Sequence, residues 1–561
     1  MIRVLENPFY YLENFQLVLA WLDQRYADLL NEEEQRFIAG FPALPQASRA
    51  LFTRMVMRKG CLFRAHKLNY DEIGDTAAAA MELLPTGWVR SDPPLTIAQL
   101  FDLLQKPEIA LLFHLSAAEK SLRKQDQLDL LQARYPEARP FSDWCSLATG
   151  QAHAALAAEQ VYEILNKELC ERLRLMFFGN FRQDWSEFVL SDLGIYQYEK
   201  VEFTPASRGF RERRDIDDYL ALHRCRELFR EREAADPADD ILGQLRSTML
   251  ENDWLASRRD KLLFQVGQHI ERQQDWDTAF SIYAGCGYPG ARVRSIRVLE
   301  KRGDIALAYQ RLSEAERACE SEAERQHLQR IAPRLRRKLG LARGAAKATS
   351  PVERLDVCVP VPAGPWHVEG VVRDHLAHED APVFYVENTL INSLFGLLCW
   401  NAVFKPLPGA FFHPFHRGPA DLHSADFQRR RAAEFNACLG QLETTAYRDT
   451  ILRNYSAKRG IQSPFVSWEI LDPGLLALAL DCIPATHMRK WFDRMLADLQ
   501  SNCTGFPDLI QFWPAEKRYN MIEVKGPGDR LQDNQKRWID YCAQHGMPVT
   551  VCYLQWLEAA A

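Results

Sequence analysis

The sequence holds no Cys-x-x-Cys pair. Its 13 cysteines are scattered, which argues against a zinc finger or a disulfide framework and suits reduced thiols in a cytoplasm. No apolar run approaches the ~18 residues that cross a bilayer. The start, Met1-Ile2-Arg3-Val4-Leu5-Glu6-Asn7-Pro8, shows neither the apolar stretch nor the cleavage site of a signal peptide. Gly285-Cys286-Gly287 lacks the Lys-Ser/Thr that would make it a phosphate loop. Basic charge is not in excess either. Against 69 Lys and Arg stand 75 Asp and Glu, a net charge of −6, so a surface for nucleic acid has to be a local patch. What is present is length and ordinary globular composition: 561 residues, 47% hydrophobic and 26% charged, too long for one core and enough for roughly three or four domains.

The most informative stretch lies near the C-terminus. Gly505-Phe506-Pro507-Asp508-Leu509 is followed, after a polar turn at Pro514-Ala515-Glu516-Lys517-Arg518, by Ile522-Glu523-Val524-Lys525-Gly526-Pro527. This pattern predicts a β-hairpin. With the turn centred between Ala515 and Glu516, Asp508 falls opposite Glu523, and alternation puts Glu523 and Lys525 on one face, with Ile522 and Val524 on the other. Two carboxylates and an amine on one face suit a hard divalent cation such as Mg²⁺ or Mn²⁺, and with it a nuclease centre. An Asp after Pro is also a common turn residue and Glu-x-Lys a common solvated pair, so spacing by itself leaves both readings open.

Upstream, helices are expected from Pro8 to Leu30, after the N-cap Asn31 with Glu34 following, from Gln46 to Lys59 and from Tyr70-Asp71-Glu72-Ile73, with a short strand at Gly87-Trp88-Val89. Together they suggest a winged-helix-like DNA-binding domain over 1–93. Short helices follow at Thr96–Leu100, Lys106–His114 and Ser121–Gln132. The basic, polar linker Ala117–Lys124 resembles that of a SAP-type module (94–160), with Lys120, Arg123 and Lys124 as candidate DNA contacts. Strands are expected at Arg172–Phe178, Glu187–Leu190 and Tyr196–Phe203, a small sheet leading into a helical scaffold (161–345 together). The related units beginning at Asp275 and Asp304 suggest TPR-like hairpins, with an irregular bundle as the alternative. The cluster Arg334-Leu335-Arg336-Arg337-Lys338 would face DNA or simply solvent. Gly340–Ser350 reads as a linker, and the last domain spans 351–561.

In that domain Glu387 stands at the first turn of an apolar helix around Leu394–Trp400, where a buried carboxylate needs a partner. A cation shared with Asp508 and Glu523 would supply one. His413, His416, Asp421 and His423 lack the spacing of a zinc site and read as a polar loop. The closing order of helix, hairpin, helix and strand is that of a restriction-endonuclease-like αβββαβ core. The expected fold is therefore multi-domain and mostly α, with an α/β C-terminal domain.

Phe506-Pro507-Asp508-Leu509, Ile522-Glu523-Val524-Lys525-Gly526-Pro527 with Asp529-Arg530-Leu531, and Gln535-Lys536-Arg537-Trp538 resemble the VRR-NUC nuclease domain of the PD-(D/E)xK superfamily. The likeness to bacterial Fanconi-associated nucleases extends upstream through Tyr10–Phe15, Lys67–Ile73, Leu394–Leu398 and Val466-Ser467-Trp468. It implies a structure-specific nuclease of 5′ flaps that also trims 5′ to 3′, acting on branched DNA in interstrand cross-link repair, in the cytoplasm at the bacterial nucleoid. It implies that Glu387, Asp508, Glu523 and the Val524 carbonyl hold one or two Mg²⁺ or Mn²⁺ ions and that Lys525 is catalytic. Gln535 would orient Lys525 or a phosphate, and Arg530 and Lys536 would touch DNA. Two departures stand out. No cysteine-rich ubiquitin-binding zinc finger precedes Tyr10, so recruitment by that route is not expected. Gln500, Cys503 and Asn534 occupy places where eukaryotic members have basic residues for a 5′-phosphate pocket. The rival readings are a Holliday-junction resolvase-like nuclease and a non-catalytic DNA-binding scaffold.

Overall fold

A computed structural model describes residues 7–147, 156, 158–185, 187–188, 195–232, 238–342, 352–424 and 426–557. It divides into two compact units, one of Met1–Ile195 with Phe210–Ile216, the other of Tyr196–Gly209 with Asp217–Ala561.

In the first unit, helix Tyr10–Tyr26 buries Tyr11, Phe15, Val18, Leu19 and Leu22, the stripe that its spacing predicts. Asn31 and Glu34 form a reciprocal capping box at the start of Glu32–Gly40. Glu34 is fully buried, and its carboxylate is met by Arg172 at 2.9 Å and by Arg213. These bonds account for a misreading. Arg172–Phe178 is not a strand but the second half of helix Lys167–Phe178, closed by Gly179 in the left-handed conformation. The Arg-Leu-Arg-Leu alternation looks two-fold, whereas the buried Leu169, Cys170, Leu173, Met176 and Phe177 follow the helical period and Arg172 turns inward to Glu34. Tyr70–Ile73 is a turn, and the helix begins after it, at Thr76, where Asp75 caps it. Glu187 and Phe188 are helical, and Val189 and Leu190 lie outside the described residues. A sheet does form here, from β1 (Leu62–Arg64), β2 (Val89–Ser91) and β5 (Val161–Ile164) in the order β1-β5-β2. It joins residues from both sides of the boundary expected at 160. Between them, β3 (Pro94–Leu95) pairs with β4 (Arg139–Pro140). The expected linker Ala117–Lys124 is partly helical, because Ser116 and Glu119 make a capping box for Ala117–Ser121.

In the second unit, Tyr196–Phe203 is extended chain with a single bridge, Gln197 to Ile461, rather than a strand. Helices Asp253–Arg272, Trp276–Ala284, Ala291–Arg302, Ile305–Arg317 and Glu322–Lys338 pack one on the next. Val293, Ile296, Leu299, Leu312, Leu328, Ile331 and Leu335 form the core of the last three. In the basic cluster at its end, Arg334 and Lys338 are both engaged by Glu300, at 2.9 and 3.1 Å.

Beyond them lies a five-stranded sheet in the order β6-β10-β9-β8-β7, built from β6 (Glu353–Val359), β7 (Val383–Tyr385), β8 (Leu509–Trp513), β9 (Arg518–Lys525) and β10 (Val549–Trp556). Helix Val368–Leu376 precedes β7 and helix Asp533–Gln544 precedes β10, so the chain runs through helix, three strands, helix and strand. A set of helices from Leu390 to Asn502 is inserted between β7 and β8. Strand β6, parallel to β10, is an addition that the motif reading did not foresee. One face of the sheet buries Leu509, Ile522, Val524, Cys552 and Leu554 with Val372 of the first helix. The opposite face buries Ile510, Phe512, Met521 and Val551 in the larger core of the inserted helices, with Leu394, Phe395, Trp491 and Phe492.

Candidate active site

The hairpin of β8 and β9 has the expected register. Leu509 pairs with Ile522 and Trp513 with Arg518, which puts Asp508, one residue further out, opposite Glu523. Lys517 closes the turn with φ of 49°, and Arg518 lies over the Trp513 ring at 3.5 Å. Asp508, Glu523 and Lys525 thus share one face. Asp508 and Lys525 are buried, and Glu523 is 0% exposed.

Asp508 is fixed through both its backbone and its side chain. Its Oδ2 accepts the Val524 amide at 2.9 Å, and its carbonyl accepts the amides of Val386 and Glu387 at 2.9 and 3.1 Å. A residue's N–H and C=O leave a strand on the same side. The Val524 carbonyl therefore faces the Asp508 edge, where ladder pairing has ended. Lys525 Nζ stands 2.6 Å from Glu523 Oε1 as its counter-charge, while Oε2 has no hydrogen-bond partner. Burial pushes the Asp508 carboxyl up to about 6. Burial, and then the Asp508 charge, push Glu523 up to about 8.

Glu387 departs from expectation. It is exposed, in the link between β7 and helix Leu390–Leu398, and not buried in the helix's first turn. The Tyr385 hydroxyl donates to its Oε2 at 2.5 Å and Asn388 Nδ2 to its Oε1 at 3.2 Å. As the side chains stand, no three His, Cys, Asp or Glu among the described residues are gathered closely enough to hold an ion. As it stands, the Glu387 carboxylate is engaged by Tyr385 and Asn388 rather than by the other two. The donor set still fits a hard divalent cation: carboxylate and carbonyl oxygens, with Glu523 Oε2 buried and unpartnered.

Two residues escaped the sequence reading. Glu369, in the first turn of helix Val368–Leu376, adds negative charge at Asp508 and at Tyr385; nothing in its local sequence marks it. Asn388, left-handed at φ 48°, accepts the amides of Gly505 and Phe506 at 2.7 and 3.0 Å, and so ties the loop carrying Asp508 to the link carrying Glu387. Gly505, at φ 92°, passes so close to the Asn534 backbone that a Cβ would lie 2.8 Å from it. Asn388→Ala is expected to lower stability by about 1–3 kcal/mol through the stranded amides and to slow cleavage. A denaturant melt beside a flap assay checks it, and an unchanged melt would mean that the loop is held without this side chain.

The other expected contacts are dispersed. Gln535 Oε1 accepts the Gln532 amide at 2.8 Å in a capping box, so its acceptor serves the helix. Arg530, just before that helix, and Lys536, on it, are exposed. Lys120, Arg123 and Lys124 are exposed in the first unit, Arg123 paired with Asp126 at 3.0 Å and Lys124 donating to the Leu104 carbonyl at 2.9 Å. The histidine loop is structural. His413 and His416 lie with ring centroids 4.1 Å apart and planes tilted by 37°, and Asp421 is held by Arg430 and Arg431 at 2.6 and 2.9 Å.

Three family models match: the FAN1 HTH domain over residues 9–90, the Fanconi anemia-associated nuclease SAP domain over 94–144 and the VRR-NUC domain over 442–556. A Fanconi-associated nuclease 1 homolog from Pseudomonas aeruginosa is 55% identical over 98% of this chain and 97% of its own. The chain belongs to the Fanconi-associated nuclease family. The Arabidopsis thaliana homolog is 23% identical over 96% of this chain and 66% of its own. Among solved structures, one of paFAN1 bound to 2nt 5′ flap DNA with gap matches with a TM-score of 0.90 and 55% identity, covering 99% of this chain and 100% of that one. As a member of the family the chain is a structure-specific DNA nuclease that hydrolyses phosphodiesters. The VRR-NUC family implies use of a divalent metal. The recessed carboxylate pair therefore lies in the domain that carries the family's chemistry.

Proposed function

We propose that this chain is a 5′-flap endonuclease and 5′-to-3′ exonuclease that serves interstrand cross-link repair at the bacterial nucleoid. Asp508, Glu523, the Val524 carbonyl and Glu387 would hold one or two Mg²⁺ or Mn²⁺ ions. The observation that carries this reading is the pair of buried carboxylates, Asp508 opposite Glu523, with a single ammonium, Lys525, beside them. One ammonium offsets one of the two charges, and the second is costly unless a further cation meets it.

When bound, the metal supplies Lewis-acid polarisation of the scissile phosphate and a more acidic water. With a cation bound, Asp508 and Glu523 would provide the negative charge, held on the paired hairpin. Lys525, on the same face, places a positive charge beside the phosphate, where it orients the attacking water and offsets the charge that builds in the transition state. Gln535 would steady a phosphate through its amide N–H₂ while its oxygen keeps the helix cap. Lys120, Arg123 and Lys124 on the SAP module, with Arg530 just before the nuclease helix and Lys536 on it, would hold the DNA backbone. The helical stack, TPR-like in this reading, holds the nuclease domain in place. Arg330 pairs with Asp533, Arg537 bonds Gln326 at 2.7 Å, and buried Arg494 reaches Glu322 while lying 4.3 Å from the Trp538 ring. Trp538 in turn stacks on Phe506, two residues before Asp508.

Labelled 5′-flap, 3′-flap and four-way DNA, each with and without Mn²⁺, test the reading. The expected result is Mn²⁺-dependent cleavage of the 5′ flap near its junction, with the 3′ flap resistant. Symmetric paired cuts in four-way DNA would favour a resolvase, and binding without cleavage of any substrate would favour a scaffold.

A further inference from the structure

A hollow of about 150 Å³ lies on the helical stack, between the end of helix Asp253–Arg272, the start of Trp276–Ala284 and the middle of Ala291–Arg302. Its floor is electrically settled. Glu271 is engaged by Arg294 at 2.7 Å and by the Tyr283 hydroxyl at 2.8 Å, and the Gln268 carbonyl accepts from Arg294 at 3.1 and 3.3 Å. Its rim is not. Arg272, Arg297 and Lys301 are exposed, and none of the three has an ion pair among the described residues. Arg294, Arg297 and Lys301 recur at the spacing of one helix face. Half-buried Trp276 forms the remaining wall, set by a turn in which Gln274 takes φ of 66°.

We infer that this hollow binds one nucleotide of a single-stranded DNA tail, its base on the Trp276 indole and its phosphate on Arg297 and Lys301. An aromatic platform supplies a sequence-tolerant stack, and unpaired cations supply charge for the backbone. A compact anion alone would need no indole, and an apolar ligand would not be ringed by three cations. The position agrees. Arg297 belongs to the same positive neighbourhood as Arg330 and Arg537 around His327, whose pKa is lowered first by burial and then by these charges. Arg330 binds Asp533 at the first turn of the nuclease helix.

The inference rests on the flap-nuclease reading, so its test separates the two. Binding of the whole protein in EDTA would be measured by anisotropy for a 5′ flap with a long tail and for the same nicked duplex without one. The paired variant Arg297→Ala with Lys301→Ala, and separately Trp276→Ala, are expected to weaken tailed DNA about tenfold and to leave tail-less DNA unchanged. Trp276→Phe should keep most of the binding. Equal weakening of both DNAs would reduce the rim to general electrostatics and overturn the inference, as would unchanged tail binding by variants that melt like wild type. A failure of the flap reading would look different: wild-type protein would neither prefer the tailed substrate nor cut it with Mn²⁺.

Discussion

Asp508→Ala is expected to reduce flap cleavage on the order of a thousandfold or more while leaving flap binding nearly intact. The carboxylate is buried and bonded to the Val524 amide, and it stands opposite Glu523. Its removal therefore takes away charge at the centre of the site together with the bond that fixes the Val524 peptide. Affinity for DNA comes from Lys and Arg on phosphates, which this residue does not touch. Single-turnover cleavage with Mn²⁺, beside anisotropy in EDTA, separates the two effects. Cleavage near the wild-type rate would remove Asp508 from the active site; loss of binding as great as the loss of cleavage would make its role structural.

Glu523→Gln should also abolish cleavage, but with an unusual effect on stability. In the metal-free protein Glu523 is raised from 4.5 to about 8 and Asp508 from 3.8 to about 6. A carboxyl whose folded pKa lies above its unfolded one favours the fold while protonated. Wild-type stability should then fall as pH rises between those values for each group, and level off above about 8. The amide removes the Glu523 part of this loss. Above pH 8 and without metal the variant is expected to be the more stable protein, by ~1–4 kcal/mol, with Asp508 left as the counter-charge of Lys525, and near the acid end the two should coincide. Adding Mn²⁺ should raise the melting temperature of wild type and much less that of the variant. A variant less stable than wild type across the whole pH range would mean that Glu523 is a structural partner of Lys525 and not a ligand held in reserve.

What the sequence revealed and what it hid follow from the range of the interactions. The hairpin was legible because a short turn sets its own register: the Pro514–Lys517 turn alone places Asp508 opposite Glu523, and alternation puts Lys525 on the same face. Helix Tyr10–Tyr26 was legible for a similar reason, its apolar stripe being local. Arg172–Phe178 was not, because the partner that turns Arg172 inward, Glu34, lies in a distant helix. The setting of Glu387 was hidden too. The helices inserted between β7 and β8 separate it from Asp508 along the chain, and its exposure depends on the Tyr385 hydroxyl and on Asn388. Glu369 and the Asn388 tether exist only once the first helix and the Gly505 loop have packed beside the sheet.

The central claim is that the buried carboxylates of the hairpin are the metal site of a flap nuclease. The most direct test is Mn²⁺ binding, read by electron paramagnetic resonance, on wild type and on Glu523→Gln, with cleavage of a labelled 5′ flap followed in the same samples. The account predicts that bound Mn²⁺ and cleavage appear together in wild type and are lost together in the variant. Undiminished Mn²⁺ binding by Glu523→Gln, or flap cleavage that persists when metal is withheld, would contradict it.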